Sequence, residues 1–156
     1  MTNNDILRRI RYTFDFNDPK MVSIFALADY QVTREQVSAW LKKDDDPEYQ
    51  ACKDIQLASF LNGLISYKRG KKEGEQPAPE KTLTNNIILR KLKIVLNLRD
   101  DDILEILGLA DMHISKHELS ALFRKTEHKH FRKCKDQILR NFLKGVQLKY
   151  RDNVQP

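Results

Sequence analysis

The chain has 156 residues, with 28 Lys and Arg against 22 Asp and Glu, a formal net charge of +6 and 40% hydrophobic residues. That apolar content supports a packed core and excludes global disorder, and no apolar run approaches the ~18 residues of a membrane span. Two cysteines exclude a disulfide scaffold and point to a reducing cytoplasm, and Met1-Thr2-Asn3-Asn4-Asp5 has neither the charged start nor the apolar stretch of a secretory signal.

The first element opens at Thr2, a helix-capping residue type, and Ile6, Leu7, Ile10 and Phe14 follow on one face at helical spacing. A second helix is expected from Asp18 as cap, with Pro19 in its first turn and Met21, Val22, Ile24, Phe25 and Ala28 as its apolar residues. Thr33-Arg34-Glu35-Gln36 is a capping box, with a hydroxyl at the cap and a Gln three residues on. It starts a third helix that buries Val37, Trp40 and Leu41. Asp46-Pro47 repeats the cap-then-proline signal and predicts a fourth helix of ~20 residues. Gly70–Lys81 then holds two of the five glycines and two of the five prolines, which reads as a solvated linker.

Beyond the linker the same elements return. Sliding the chain by 82 residues aligns Thr2–Arg69 with Thr84–Arg151 without a gap, with roughly 20 of about 68 positions identical. Thr2-Asn3-Asn4 meets Thr84-Asn85-Asn86, Leu27-Ala28-Asp29 meets Leu109-Ala110-Asp111, Cys52-Lys53-Asp54 meets Cys134-Lys135-Asp136, and Gly63 meets Gly145. Asp100 stands as the second helix's cap, and Ser115-Lys116-His117-Glu118 repeats the capping box. Phe131, Cys134, Ile138, Phe142, Leu143 and Val146 form the expected stripe of the last helix. The predicted fold is all-α: two tandem repeats of about four helices, 1–69 and 84–151, a short polar linker at 70–83 and a tail at 152–156.

The opening Thr2–Arg9, the segment Val32–Leu41, Cys52-x-Asp54 and Phe60-Leu61-Asn62-Gly63-Leu64 are similar to the bacterial YehS-like proteins, which are built of two tandem copies of a small domain of unknown function. The resemblance covers nearly the whole chain. It implies a cytoplasmic protein and brings no established activity and no site residues.

Signatures of catalysis do not emerge. There is no Gly-x-Ser-x-Gly elbow, and the spacing of Gly63 and Gly70-Lys71 does not make a phosphate loop. Asp44-Asp45-Asp46 reads as a solvated turn ending in a helix cap, and Asp100-Asp101-Asp102 as a helix start, rather than as cation sites. His113, His117, His128 and His130 read as surface or cap residues and not as metal ligands. No cofactor or metal is expected. Cys52 and Cys134 read as small buried hydrophobes and Trp40 as core.

The polar residues common to both repeats are more informative. Arg8 and Arg90 recur on the first helix, and Asp29 and Asp111 end the second, where the helix dipole disfavours a carboxylate. Each aspartate is therefore expected to accept a hydrogen bond from its arginine or to cap the third helix; a ligand site repeated in each copy is the functional alternative. Asn3-Asn4 and Asn85-Asn86 are first-turn residues whose amides suit either the backbone or a base edge. The second and third helices resemble a helix-turn-helix, departing from it where Gln31 and His113 stand in place of glycine.

Charge is the clearest asymmetry. The first repeat holds ten basic and ten acidic residues, so the +6 belongs to the second. It gathers in Arg124, Lys125, Lys129, Arg132, Lys133 and Lys135, then Arg140 and Lys144. Such a cluster is an electrostatic footprint for nucleic acid. The sequence thus reads as a non-catalytic cytoplasmic binding protein with DNA or RNA as partner. The alternative is a protein-interaction adaptor that receives a partner helix in a groove between the repeats. Membrane-surface binding is disfavoured, because the apolar stripes are needed for the core.

Overall fold

In the computed structural model, which describes residues 1–152, the chain forms α1 (Asn3–Phe14), α2 (Asp18–Leu27), α3 (Arg34–Leu41) and α4 (Asp54–Arg69). These are followed by α5 (Asn85–Val95), α6 (Asp100–Leu109), α7 (Lys116–Leu122) and α8 (Asp136–Tyr150). No strand occurs among the described residues. Met1–Leu83 is one compact unit, and a second begins at Thr84. Each unit holds four helices, and corresponding helices start 82 residues apart. Of the expected tail, residues 153–156 lie outside the described residues.

Local chemistry sets the helix starts. Thr33 Oγ1 accepts from the Gln36 N–H at 3.1 Å while Gln36 Oε1 accepts from the Thr33 N–H at 2.8 Å. Ser115 and Glu118 do the same, both at 3.0 Å. Each reciprocal pair satisfies two backbone donors that the first turn leaves orphaned. At α1, Thr2 and Asp5 form a third such box. Burial raises Asp5's carboxyl, yet the Thr2 backbone N–H, the Thr2 hydroxyl and Arg8 hold it below the ordinary carboxylate range. The caps of α2 and α6 fall one residue earlier than expected. Asn17 Oδ1 accepts from Lys20 N–H at 2.9 Å, and Arg99 precedes α6, so Asp18 and Asp100 are first-turn residues. An aspartate before proline suits either place; Asn17 outcompetes it because its carbonyl reaches the third amide of the helix.

In each unit the second helix packs on the fourth. Met21, Ile24, Phe25, Leu57, Phe60, Leu61 and Leu64 are all fully buried in the first unit, as are Ile103, Ile106, Leu139 and Phe142 in the second. Each such side chain contributes about 1.5–3 kcal/mol by leaving water. Phe25 stands at the centre of the first core, with ring centroids 5.1 Å from Phe60 and 5.6 Å from Trp40. The helices approach so closely that a Cβ on Gly63 would lie 1.9 Å from the Ile24 carbonyl oxygen, and one on Gly145 would lie 2.1 Å from that of Ile106. Glycine is required at both positions because only hydrogen fits beneath the facing backbone.

The fourth helix starts later than the sequence predicts. Asp46 does not cap a helix; its Oδ1 accepts from the Glu48 N–H at 2.8 Å and closes a local turn. The segment that follows is non-helical as far as Lys53, and α4 begins at Asp54. Likewise Phe131 and Cys134 lie before α8, not on its stripe, and Arg132, Lys133 and Lys135 also precede it. Asx turns and helix caps share the same side-chain geometry, so an Asp-Pro pair signals either. Tertiary hydrogen bonds to α1 and α5 decide between them.

Candidate nucleic-acid interface

The α7–α8 loop carries most of the basic residues singled out above, and its shape is fixed from a distance by α5. Asn86 is 6% exposed and uses its whole amide. Its Nδ2 donates to Leu122 O and to Arg132 O, both at 2.9 Å, and its Oδ1 accepts from the Cys134 N–H at 2.9 Å. Neighbouring Asn85 donates to Cys134 O at 3.1 Å and to Asp136 Oδ1 at 2.7 Å. The Asn85 bond leads the effects that hold Asp136 below the ordinary carboxylate range. These bonds tie the end of α7, the loop and the start of α8 to one turn of α5. Asn86 is therefore a clamp whose amide is fully used by the backbone, and Asn85 spends its Nδ2 on the same segment.

The first repeat builds the same clamp. Asn4 donates to Trp40 O at 2.9 Å and Gln50 O at 2.8 Å and accepts from the Cys52 N–H at 2.9 Å. Asn3 donates to Cys52 O at 3.0 Å and Asp54 Oδ1 at 2.8 Å. The loop backbones correspond bond for bond. Asp46 N–H to Lys43 O, Tyr49 N–H to Asp46 O and Gln50 N–H to Ala39 O in the first repeat match His128 to Lys125, Phe131 to His128 and Arg132 to Ala121 in the second. Even the local turn is preserved, with His128 Nδ1 accepting from the His130 N–H at 3.0 Å where Asp46 accepts from Glu48.

On this common scaffold the charge is inverted. Lys42–Lys53 carries Lys42, Lys43 and Lys53 against Asp44, Asp45, Asp46 and Glu48. Arg124–Lys135 carries Arg124, Lys125, Lys129, Arg132, Lys133 and Lys135 against Glu127 alone. Lys125, Lys129, Arg132, Lys133 and Lys135 are exposed, and Arg124 is half-buried. Arg140 and Lys144 are not in the loop; they lie one turn apart on the exposed side of α8. The loop also reaches α7: the Ser115 backbone N–H and hydroxyl hold Glu118 below its ordinary range, and Arg132 adds to the effect.

The other repeated polar positions serve the backbone. Asp29 and Asp111 neither pair with Arg8 and Arg90 nor cap the third helix. Both have left-handed backbones, φ 57° and 59°, just past the ends of α2 and α6, and both side chains are exposed. Asp15 and Asn97 fill the same role one helix earlier, at φ 56° and 53°. Aspartate and asparagine tolerate this conformation better than other residues with a Cβ, so the left-handed turn outweighs the unfavourable dipole. Asp29 Oδ1 lies 3.8 Å from Lys71 Nζ. Arg8 instead donates to Lys42 O at 2.7 Å and pairs with Asp5, and Arg90 donates to Phe123 O at 3.1 Å. Each arginine thus satisfies a carbonyl at the C-terminal end of the third helix, where a cation is favoured.

Cys52 and Cys134 are free and buried, each inside the clamped segment. Burial pushes the Cys52 thiol up to about 12 and the Cys134 thiol up to about 11, so neither is a nucleophile at neutral pH. No group of three or more His, Cys, Asp or Glu able to hold a metal ion occurs among the described residues. No helix among them is long and apolar enough to cross a membrane.

A family model described as protein of unknown function, DUF1456, matches residues 3–70 and again 85–152. The chain belongs to this family. The two DUF1456 matches begin at the first residues of α1 and α5, so the DUF1456 repeat corresponds to the four-helix unit with its asparagine clamp. An Escherichia coli (strain K12) member, uncharacterized protein YehS, is 48% identical over 148 residues, 94% of either chain. No solved structure matches the DUF1456 chain described here.

Proposed function

We propose that the second repeat binds nucleic acid through the α7–α8 loop, as a binding module and not as an enzyme. One observation carries this reading: two loops with the same backbone hydrogen bonds differ in charge, one slightly acidic and the other holding six cations against one carboxylate. The fold does not need the cations, because the first repeat builds the same loop without them. Held close together on a rigid segment, they repel one another, and a polyanion relieves that repulsion. Nucleic-acid phosphates supply such charge at regular spacing, and binding releases condensed counterions. The reading places the protein in the cytoplasm, in keeping with its two free thiols.

Fluorescence anisotropy of the full chain with labelled mixed-sequence duplex DNA, single-stranded DNA and single-stranded RNA tests the proposal. If about five phosphates are contacted, log affinity against log salt should fall with a slope near −4.5 on duplex, at about −0.9 per phosphate. The K129E/R132E/K133E variant should lose most of the affinity while keeping its helix content. No binding by the parent protein at low salt, or equal binding by the variant, removes the reading. A protein partner held by an apolar groove would instead show little salt dependence.

A further inference from the structure

In the first repeat a cleft of about 290 Å³ runs beside α3 and the α3–α4 loop, lined by Asp18, Arg34, Glu35, Ser38, Lys42 and Glu48. Its charges are loosely paired, with Arg34 Nε 3.9 Å from Asp18 and Lys42 Nζ 3.9 Å from Glu48. Three carboxylates face two cations, so an anion is not favoured there. The 82-residue offset places Asp100, Lys116, His117, Ser120, Arg124 and His130 at the equivalent positions of the second repeat. The loop is held against α7 there by the same Arg132 N–H to Ala121 O bond that Gln50 makes to Ala39. The bond from the His130 N–H to His128 Nδ1 reproduces the turn that positions Glu48. The loop's backbone bonds are therefore common to both repeats while the side-chain chemistry is not.

Both glutamates of the first cleft become imidazoles, and both cations are kept as Lys116 and Arg124. The one remaining carboxylate, Asp100, has Lys93 Nζ at 3.5 Å, and Lys116 Nζ lies 3.5 Å from exposed Asp101, outside the set. His117 and His130 are exposed and Ser120 is half-buried. A guanidinium, an ammonium, two imidazole N–H groups and a hydroxyl are all hydrogen-bond donors that suit phosphate oxygens.

Building on the nucleic-acid reading of the loop, we propose that Lys116, His117, Ser120, Arg124 and His130 form a seat for one backbone phosphate. The strand then runs from the loop cations across the side of α7. This adds two histidines, a serine and a lysine to the interface, none of which belongs to the basic cluster of the loop and α8.

The test compares four full-length proteins by anisotropy on the same labelled duplex and single-stranded RNA, with circular dichroism as the folding control. H117E/H130E restores the first repeat's residues; it should lower the duplex salt slope by about 0.9, one phosphate's worth, and weaken binding about tenfold at ~50 mM salt. H117K/H130K keeps a donor at both positions and adds positive charge, and should bind at least as tightly as the parent. If H117E/H130E binds like the parent while K129E/R132E/K133E does not, the seat is wrong and the loop reading stands. If H117K/H130K loses as much affinity as H117E/H130E, the histidines act by shape and the seat is also wrong. Failure of the parent protein to bind either probe overturns both.

Discussion

Gly63→Ala is a direct probe of how the first repeat is packed. The added Cβ would sit 1.9 Å from the Ile24 carbonyl oxygen and 2.8 Å from its carbonyl carbon. A carbon needs roughly 3.3 Å from a carbonyl oxygen, so α2 and α4 must separate by more than an ångström, and a backbone carbonyl has no rotamer by which to yield. That separation opens the layer of Met21, Ile24, Phe25, Leu57, Phe60 and Leu64, all fully buried. A radial gap of 0.5–1 Å already forfeits about a quarter to a half of each dispersion contact. Because the clash is with backbone, the cost lies at or above the top of the ~1–3 kcal/mol range for overpacking; with about 1 kcal/mol regained from alanine's helix propensity, the net loss should be about 2 kcal/mol or more. Trp40 is the single tryptophan and lies in this core, 2% exposed, so its fluorescence reports the first repeat. In urea, with a slope of about 1 kcal/mol/M for a unit this small, the midpoint should fall by ~2 M or more, or the repeat should not fold at all. Gly145→Ala is the counterpart, read by far-UV circular dichroism. A Gly63→Ala midpoint equal to or above the parent's would refute the close approach of the two helices.

Asn86→Ala should lower the melting temperature strongly, with a cost of ~2–4 kcal/mol, because Cys134 N–H and two carbonyls lose buried partners; a shift under one degree would remove the clamp. Asn86→Asp should fare little better, since a carboxylate cannot donate to Leu122 O and Arg132 O. Asp111→Gly should be near neutral and Asp111→Val clearly destabilising, as measured by thermal melts, because the left-handed backbone at φ 59° favours the first and strains the second. Asp5, Glu118 and Asp136 have folded pKa values below their ordinary ones, so their contribution is complete above about pH 4.5 and is lost as pH falls through the folded values. Melting temperature should therefore drop in acid, and a flat profile from pH ~6 to ~3 would contradict the capping geometry. The thiols behave in the opposite sense. Folding raises Cys52 to about 12 and Cys134 to about 11, so their contribution is present at neutral pH and is lost as pH rises from the ordinary thiol range toward those values. Both should react with a thiol reagent at neutral pH far more slowly in the native protein than in urea.

Much of the fold was legible because its signals are local. The 82-residue offset exposes the duplication, the hydroxyl-x-x-Gln/Glu boxes mark α3 and α7, and helical spacing picks out Ile6, Leu7, Ile10, Phe25 and Phe142 as core. The boxes and the helical spacing depend on residues within a turn or two of one another, and the duplication shows as a constant offset, so composition and spacing suffice. The basic loop is legible for the same reason, since Arg124–Lys135 is contiguous. The start of α4 is not. Asp46-Pro47 carries the same signal for a turn as for a helix, and the decision rests on Asn4, whose partners at Trp40, Gln50 and Cys52 lie 36 to 48 residues away. The recurrence of Asn-Asn with Cys-Lys-Asp in both repeats was the available trace of that clamp, but identity at two places does not reveal that they touch. Asp29 likewise advertised an unfavourable charge, whereas its backbone angle is set by how α2 ends. The amino-acid sequence by itself determined the all-α class, the capping boxes of α3 and α7, the duplication and the charge, which are read from helical spacing and from a constant offset along the chain. Only the tertiary structure decided that two loops of opposite charge share one backbone, because the bonds holding them join residues that chain folding alone brings together.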